Sequence, residues 1–135
     1  MKATLSPTTE KAAVGKKARR VLYVDDMREL REVARMALSR AGHHVECVAD
    51  GSDAFDLLSA QPEAFDVVIS DHHMANMNGL ELVMRLREIK YPGRIAIVSS
   101  EMGADIAEEY RRLGVDRILY KPVELSELRM LVAED

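Results

Sequence analysis

Apolar positions along this chain fall into two patterns that alternate. One is a short, nearly unbroken run of β-branched and other apolar residues. The other spaces apolar residues three and four apart, as one face of a helix requires. "RRVLYVDD" is the first run of the former kind and predicts a buried strand over Val21–Val24 that ends in two acids. From Arg28 to Arg40, the residues Leu30, Val33, Ala34, Ala37, Leu38 and Ala41 follow helical spacing, and Gly42 supplies the stop. "HVECVA" predicts a second strand, Asp50-Gly51 turns the chain into a short helix near Ser52–Ala60, and Pro62 ends it. "FDVVIS" is the third strand. Gly79–Ile89 reads as a helix with Leu80, Val83, Met84 and Leu86 on its buried side. After a turn at Pro92-Gly93, "RIAIVSS" gives a fourth strand, Ala104–Leu113 a helix closed by Gly114, and "VDRILY" a fifth strand. Lys121-Pro122 leads to a last helix near Leu125–Ala133.

Five strands alternating with five helices through short connections predict βαβ units, and so an α/β domain with a parallel sheet covered on both faces. At 135 residues the chain holds one domain with a real core. Hydrophobic residues at 47% and charged residues at 31% are ordinary for a globular protein, and no run approaches the roughly 18 apolar residues of a membrane span. The first residues carry Lys2, Lys11, Lys16, Lys17, Arg19 and Arg20 against Glu10 alone, with no apolar stretch of a signal peptide. Residues 1–19 are therefore expected to be a flexible basic tail, and residues 20–135 the folded domain. With a net charge of -4 over the whole chain, the folded part is the acidic part, which does not suit direct binding to DNA. The single cysteine, Cys47, has no partner for an internal disulfide, and a cytoplasmic location fits.

In an open parallel sheet, function gathers beyond the carboxyl ends of the strands. The first predicted strand ends in Asp25 and Asp26, the third in Asp71, the fourth in Ser99 and Ser100, and the fifth in Lys121. One acid after a strand is commonplace, because turns favour Asp. Three acids, a hydroxyl and a lysine drawn from four strand ends are a far more specific signal. Carboxylates this close repel and call for a cation. Oxygen ligands select a hard ion such as Mg²⁺, which keeps open positions for phosphate oxygens. With Lys121 and the Ser99 hydroxyl at hand, the set is suited to a phosphoryl group in transfer.

These residues resemble the receiver domain of two-component response regulators over about residues 20–135. The resemblance rests on the acid pair after the first strand, the stretch Asp71, Met74, Met77, Gly79, the hydroxyl after the fourth strand and Lys121-Pro122 after the fifth. It implies a flavodoxin-like (βα)5 sandwich with strand order 2-1-3-4-5. It implies that Asp71 accepts a phosphoryl group from a sensor histidine kinase, a histidine phosphotransfer protein or a small donor such as acetyl phosphate. Asp25, Asp26, Asp71 and the backbone carbonyl of His73 would hold Mg²⁺, with Mn²⁺ as a substitute. Lys121 would contact the phosphoryl group, Ser99 would swing towards it, and the Lys121–Pro122 bond is expected to be cis. Such a protein acts enzymatically only on its own phosphorylation and dephosphorylation. Its switched face would lie on the fourth helix, fifth strand and last helix, with Arg111, Arg112, Arg117 and Glu124 exposed there. The resemblance leaves room for a phosphorylation-linked homodimer. It is equally compatible with a chemotaxis-type regulator, a phosphorelay intermediate or a receiver cut from a larger protein. No output domain or membrane association is expected in this chain.

The chain departs from the family pattern at several positions. Ala75 stands where proline is usual, and Ser99 replaces the commoner threonine. Ile118 occupies the place of an aromatic that normally packs inward as the hydroxyl moves. Tyr120 shares a strand face with Ile118 and is the nearest substitute, but it reads most simply as an ordinary edge-strand tyrosine. His72 and His73 are unusual neighbours of the acceptor and read most simply as exposed loop residues. A sharper expectation is that His73, facing Glu101, tunes attack of water on an acyl phosphate. Asp71-His72-His73 taken alone also suits a metal-dependent phosphoesterase, but that reading leaves Asp25, Asp26, Ser99 and Lys121 without a role. No Gly-rich loop follows the first strand, which excludes P-loop and dinucleotide enzymes.

Overall fold

A computed structural model describes residues 17–134. All but the last three residues of the predicted tail over 1–19 lie outside the described residues. The strands are β1 (Arg20–Val24), β2 (His44–Val48), β3 (Val67–Asp71), β4 (Arg94–Ser99) and β5 (Arg117–Tyr120). Between and after them run α1 (Arg28–Arg40), α2 (Gly51–Ala60), α3 (Gly79–Glu88), α4 (Ala104–Arg112) and α5 (Leu125–Ala133). The strands form one parallel sheet in the order β2-β1-β3-β4-β5. Both the predicted fold class and the strand order hold.

The sheet divides the core into two layers because successive strand residues point to opposite faces. Leu22, Val24, Val68, Ile95 and Ile97 pack with Ala54 and Leu58 of α2, Leu82, Val83 and Leu86 of α3, and Tyr110 of α4. Val21, Tyr23, Val67, Ile69, Ala96 and Val98 pack with Ala34 and Leu38 of α1 and with Leu128, Leu131 and Val132 of α5. β3, buried along its whole length, lies in the middle of the sheet and carries Asp71 at its end. Its apolar run Val67–Ile69 is what a parallel strand covered on both faces requires.

One expectation about a helix face needs correction. Met84 was placed on the buried side of α3, yet it is 50% exposed. The stripe that α3 buries is Gly79, Leu82, Val83 and Leu86, spaced i, i+3, i+4, i+7, and Met84 falls off it. Leu80 is only partly buried against the same core. On α1, Ala34, Ala37 and Leu38 are buried but Val33 is exposed. Val33 lies where α1 meets α5, beside Leu125 in a groove between the two helices.

The helix that follows the acceptor strand starts at a fixed point. Asn78 accepts a hydrogen bond from the Glu81 amide at 2.9 Å, and the Glu81 carboxylate accepts one from the Asn78 amide at 3.0 Å. This reciprocal cap satisfies two donors that a helix start otherwise leaves unpaired. On the far side of the loop, Asp50 caps α2 through the Asp53 amide at 2.8 Å and also accepts from the Asn76 side chain at 3.2 Å. The β3–α3 loop is thereby tied at both flanks. The Lys121–Pro122 peptide is cis, as expected.

Candidate functional site

Strand register brings the polar strand ends together. Val24 lies beside Ser70, Asp71 beside Val98, and Ser99 beside Tyr120, so the residues that follow these positions meet along one edge of the sheet. Single oxygens of Asp25, Asp26 and Asp71 all lie within 4.8 Å of one another. Asp25 is 1% exposed and Asp71 6%, whereas Asp26 opens to solvent. Lys121 reaches in from the end of β5. Its Nζ stands 3.4 Å from Asp25 Oδ2 and 3.4 Å from Asp71 Oδ1.

Backbone amides orient two of the three carboxylates. Asp25 Oδ1 accepts from the Met27 amide at 2.9 Å, which turns the chain into α1. Asp71 Oδ1 accepts from the His72 amide at 2.9 Å. Burial, and then the charge of Asp25, push the Asp71 carboxyl above its ordinary pKa, against the opposing pull of Lys121 and the His72 amide. Three carboxylates facing one ammonium leave excess negative charge in a partly buried site. The donor set therefore fits a small, hard divalent cation with oxygen ligands.

The other expected residues take more varied positions. Ser99 is fully buried, and its hydroxyl donates to the Glu101 carbonyl at 2.9 Å. It is thus engaged with the β4–α4 loop. The His73 ring lies across the site at 3.3 Å from the Glu101 backbone carbonyl, so the structure brings these two together through the main chain of Glu101. Ile118 packs against the α2–α4 side of the core, whereas Tyr120 on the edge strand is 50% exposed. Tyr120 therefore does not take the inward place that Ile118's family position would give an aromatic. Arg111, Arg112, Arg117 and Glu124 are all exposed, as expected. Arg111 pairs with Glu108, Arg112 with Glu108 and Glu109, and Arg117 with Glu134. On the other flank, Met27, Val33 and Leu125 are exposed apolar residues in a groove that Lys121 and Pro122 also line.

His72 departs most from expectation. It is buried rather than exposed, and its Nδ1 lies 2.6 Å from the hydroxyl of Tyr110 on α4. Burial lowers the imidazole's pKa and favours its neutral form. Tyr110 carried a sequence signal, since it continues the apolar spacing of Ala107 along α4, but nothing in the sequence paired it with His72.

The family model for the response regulator receiver domain matches residues 21–133. The chain is 32% identical over 127 residues to the sensor histidine kinase RcsC of Salmonella typhi, covering 94% of this chain but 13% of that protein. It is 34% identical over 109 residues to the transcriptional regulatory protein TctD of Salmonella typhimurium, covering 81% of this chain and 48% of the relative. The chain thus spans only a fraction of the length of these relatives. Among solved structures, the chemotaxis protein CheY4 of Vibrio cholerae superposes with a TM-score of 0.75 at 30% identity, covering 85% of this chain and 96% of the other. A response regulator receiver protein from Pseudomonas putida gives 0.79 at 27% identity, covering 88% and 98%.

Proposed function

The chain belongs to the response regulator receiver domain family of two-component signalling, and from that premise we propose that Asp71 is its phospho-acceptor. The observation that carries this reading is the position of Lys121 Nζ, 3.4 Å from both Asp25 and Asp71, among three carboxylates gathered within 4.8 Å. Asp71 attacks the phosphorus of a phosphohistidine on a sensor kinase or histidine phosphotransfer protein. A P–O bond to the carboxylate forms, the P–N bond breaks, and the imidazole leaves with its electron pair and takes up a proton. Water later cleaves the acyl phosphate to aspartate and inorganic phosphate. In this sense the protein catalyses only its own phosphorylation and dephosphorylation.

Lys121 neutralises charge on the acceptor and pairs with a phosphoryl oxygen. The His72 amide and Lys121 both engage Asp71 Oδ1, which leaves Oδ2 to attack. Asp25, Asp26, Asp71 and the His73 carbonyl are the groups that would hold Mg²⁺, or Mn²⁺ in its place. When bound, such an ion offsets the negative charge of carboxylates and phosphoryl oxygens. Ser99 has to release the Glu101 carbonyl to reach the phosphoryl group, which links acceptor state to the β4–α4 loop. His73 and Glu101 flank the approach of water and set the phosphate's lifetime.

Phosphorylation adds about -1.5 to -2 charges at neutral pH and favours one pre-existing conformation of the switched face. That face comprises α4, β5 and α5, with Arg111, Arg112, Arg117 and Glu124. It binds a downstream protein or a second copy of the domain. None of the described helices is long and apolar enough to cross a membrane. An acidic domain working in the cytoplasm without direct DNA contact suits these features. Incubation with acetyl phosphate and Mg²⁺ is the test. The chain should gain one phosphoryl group, and Asp71→Asn should gain none. Equal labelling of the two proteins, or none of either by acetyl phosphate and a cognate kinase, would overturn the reading.

A further inference from the structure

Tyr110 is a fully buried tyrosine whose phenol must satisfy its hydroxyl inside the core. It does so against the His72 imidazole at 2.6 Å, with the two rings edge to face and their centroids 5.5 Å apart. Burial, and then the charge of Asp71, hold the phenol protonated. The phenol and the ring nitrogen share one hydrogen bond, whose donor and acceptor follow the imidazole's tautomer.

His72 joins three parts of the site. Its amide donates to Asp71 Oδ1 at 2.9 Å, its carbonyl accepts from the Gly79 amide at the start of α3 at 3.0 Å, and its ring meets α4. The space for this arrangement comes from Gly79. A Cβ there would lie 2.6 Å from the Tyr110 hydroxyl and 2.7 Å from the Asp71 carbonyl. Ile118, which occupies the usual aromatic position on β5, packs against the same core cluster as Tyr110.

We propose that Tyr110 is a positioning residue of the phospho-acceptor site. Through the His72 ring it holds the backbone that orients the Asp71 carboxylate, and through the same bond it couples the state of Asp71 to α4. The proposal rests on the receiver reading given above and adds a route to α4 separate from that of Ser99. Tyr110 touches neither the acceptor oxygen nor the phosphoryl donor; it acts through His72.

The test compares the whole chain with Tyr110→Phe, His72→Leu and His72→Asn. Tyr110→Phe keeps the ring in the core and removes only the hydroxyl. His72→Asn keeps a hydrogen-bonding group near the place of Nδ1, whereas His72→Leu removes it. Asp71 labelling by acetyl phosphate is timed, and backbone amide shifts are followed on adding Mg²⁺ and beryllofluoride. Tyr110→Phe and His72→Leu should label about two- to tenfold more slowly, the factor that corresponds to one net hydrogen bond. They should keep the shifts near Asp25 and Asp26 and lose at least half of those over residues 104–112. His72→Asn should restore both readouts towards wild type.

Unchanged labelling and unchanged α4 shifts in Tyr110→Phe would overturn the proposal and leave the receiver reading intact. So would slowing in every variant without rescue by His72→Asn, since that marks a role in core packing alone. Failure of the wild-type chain to respond differently from Asp71→Asn overturns the receiver reading, and this inference with it.

Discussion

Replacing Gly79 by Ala sets two well-characterised effects against each other. Gly79 opens α3, and in a helix interior alanine is favoured over glycine by roughly 0.5–1 kcal/mol. Against that stands the space. The added Cβ would lie 2.6 Å from the Tyr110 hydroxyl, 2.7 Å from the Asp71 carbonyl oxygen and 3.1 Å from the His72 Cα. Two of the three are backbone atoms of the acceptor loop, held by the Gly79–His72 and His72–Val98 hydrogen bonds, and they cannot swing aside as a flexible side-chain tip would. Overpacking of this kind costs about 1–3 kcal/mol, so the contact outweighs the propensity and the net loss is of the order of 1–2 kcal/mol. For a domain of this size that lowers Tm by about 4–8 °C. Thermal and urea unfolding followed by circular dichroism measure it, with acetyl phosphate labelling as a second readout that should also slow. The double variant Gly79→Ala/Tyr110→Phe should be less destabilised than the two single losses predict together, because the 2.6 Å contact is then gone. Gly79→Ala melting at or above the wild-type temperature would refute the reasoning, because helix propensity would then have prevailed over the close approach.

Other substitutions probe the supports around the site and the core. Asp50→Ala removes the cap of α2 and the tie to Asn76, and should cost about 1 kcal/mol in urea unfolding; no shift in midpoint would count against the cap. Tyr91→Phe leaves the buried Phe65 carbonyl without its 2.8 Å donor and should cost about 1–3 kcal/mol, read as a lower Tm. His43 is buried and accepts from the Arg19 amide at 2.9 Å through Nδ1. Burial first, and then the charges of Arg19 and His44, lower its pKa. Its contribution to stability is therefore full above the unfolded value of about 6.5 and is lost as pH falls through the folded value. Melting temperatures should fall below about pH 6.5, and His43→Asn, which keeps an acceptor but does not titrate, should flatten that fall; parallel curves for the two proteins would contradict it.

The element plan was legible in the chain because each segment's local chemistry agrees with its role. Unbroken apolar runs such as "VVI" suit a strand covered on both faces, and the spacing of Ala34, Ala37 and Leu38 suits a helix buried on one. The acids, hydroxyl and lysine could be assigned to strand ends, and the geometry rule for parallel sheets then put them on one edge. Errors arose where local pattern underdetermines contact. Met84 is as apolar as Leu82, and only the direction in which α3 meets the sheet separates the exposed residue from the buried one. His72 reads from its sequence neighbours as an exposed loop residue, yet the approach of α4 buries it against Tyr110, whereas Tyr120 is the exposed edge-strand tyrosine that its position suggests.

From its order of residues alone this chain dictates an alternating α/β fold and the cluster of Asp25, Asp26, Asp71, Ser99 and Lys121, because periodicity and strand-end chemistry are local properties. Packing decided the rest. It placed one ammonium 3.4 Å from each of two carboxylates, turned the Ser99 hydroxyl to a backbone carbonyl, and brought His72 to a tyrosine 38 residues away. Those contacts depend on how β3, β5 and α4 lie side by side, and a buried polar group must take whichever partner the neighbouring element presents. No rule of spacing within a segment carries that information.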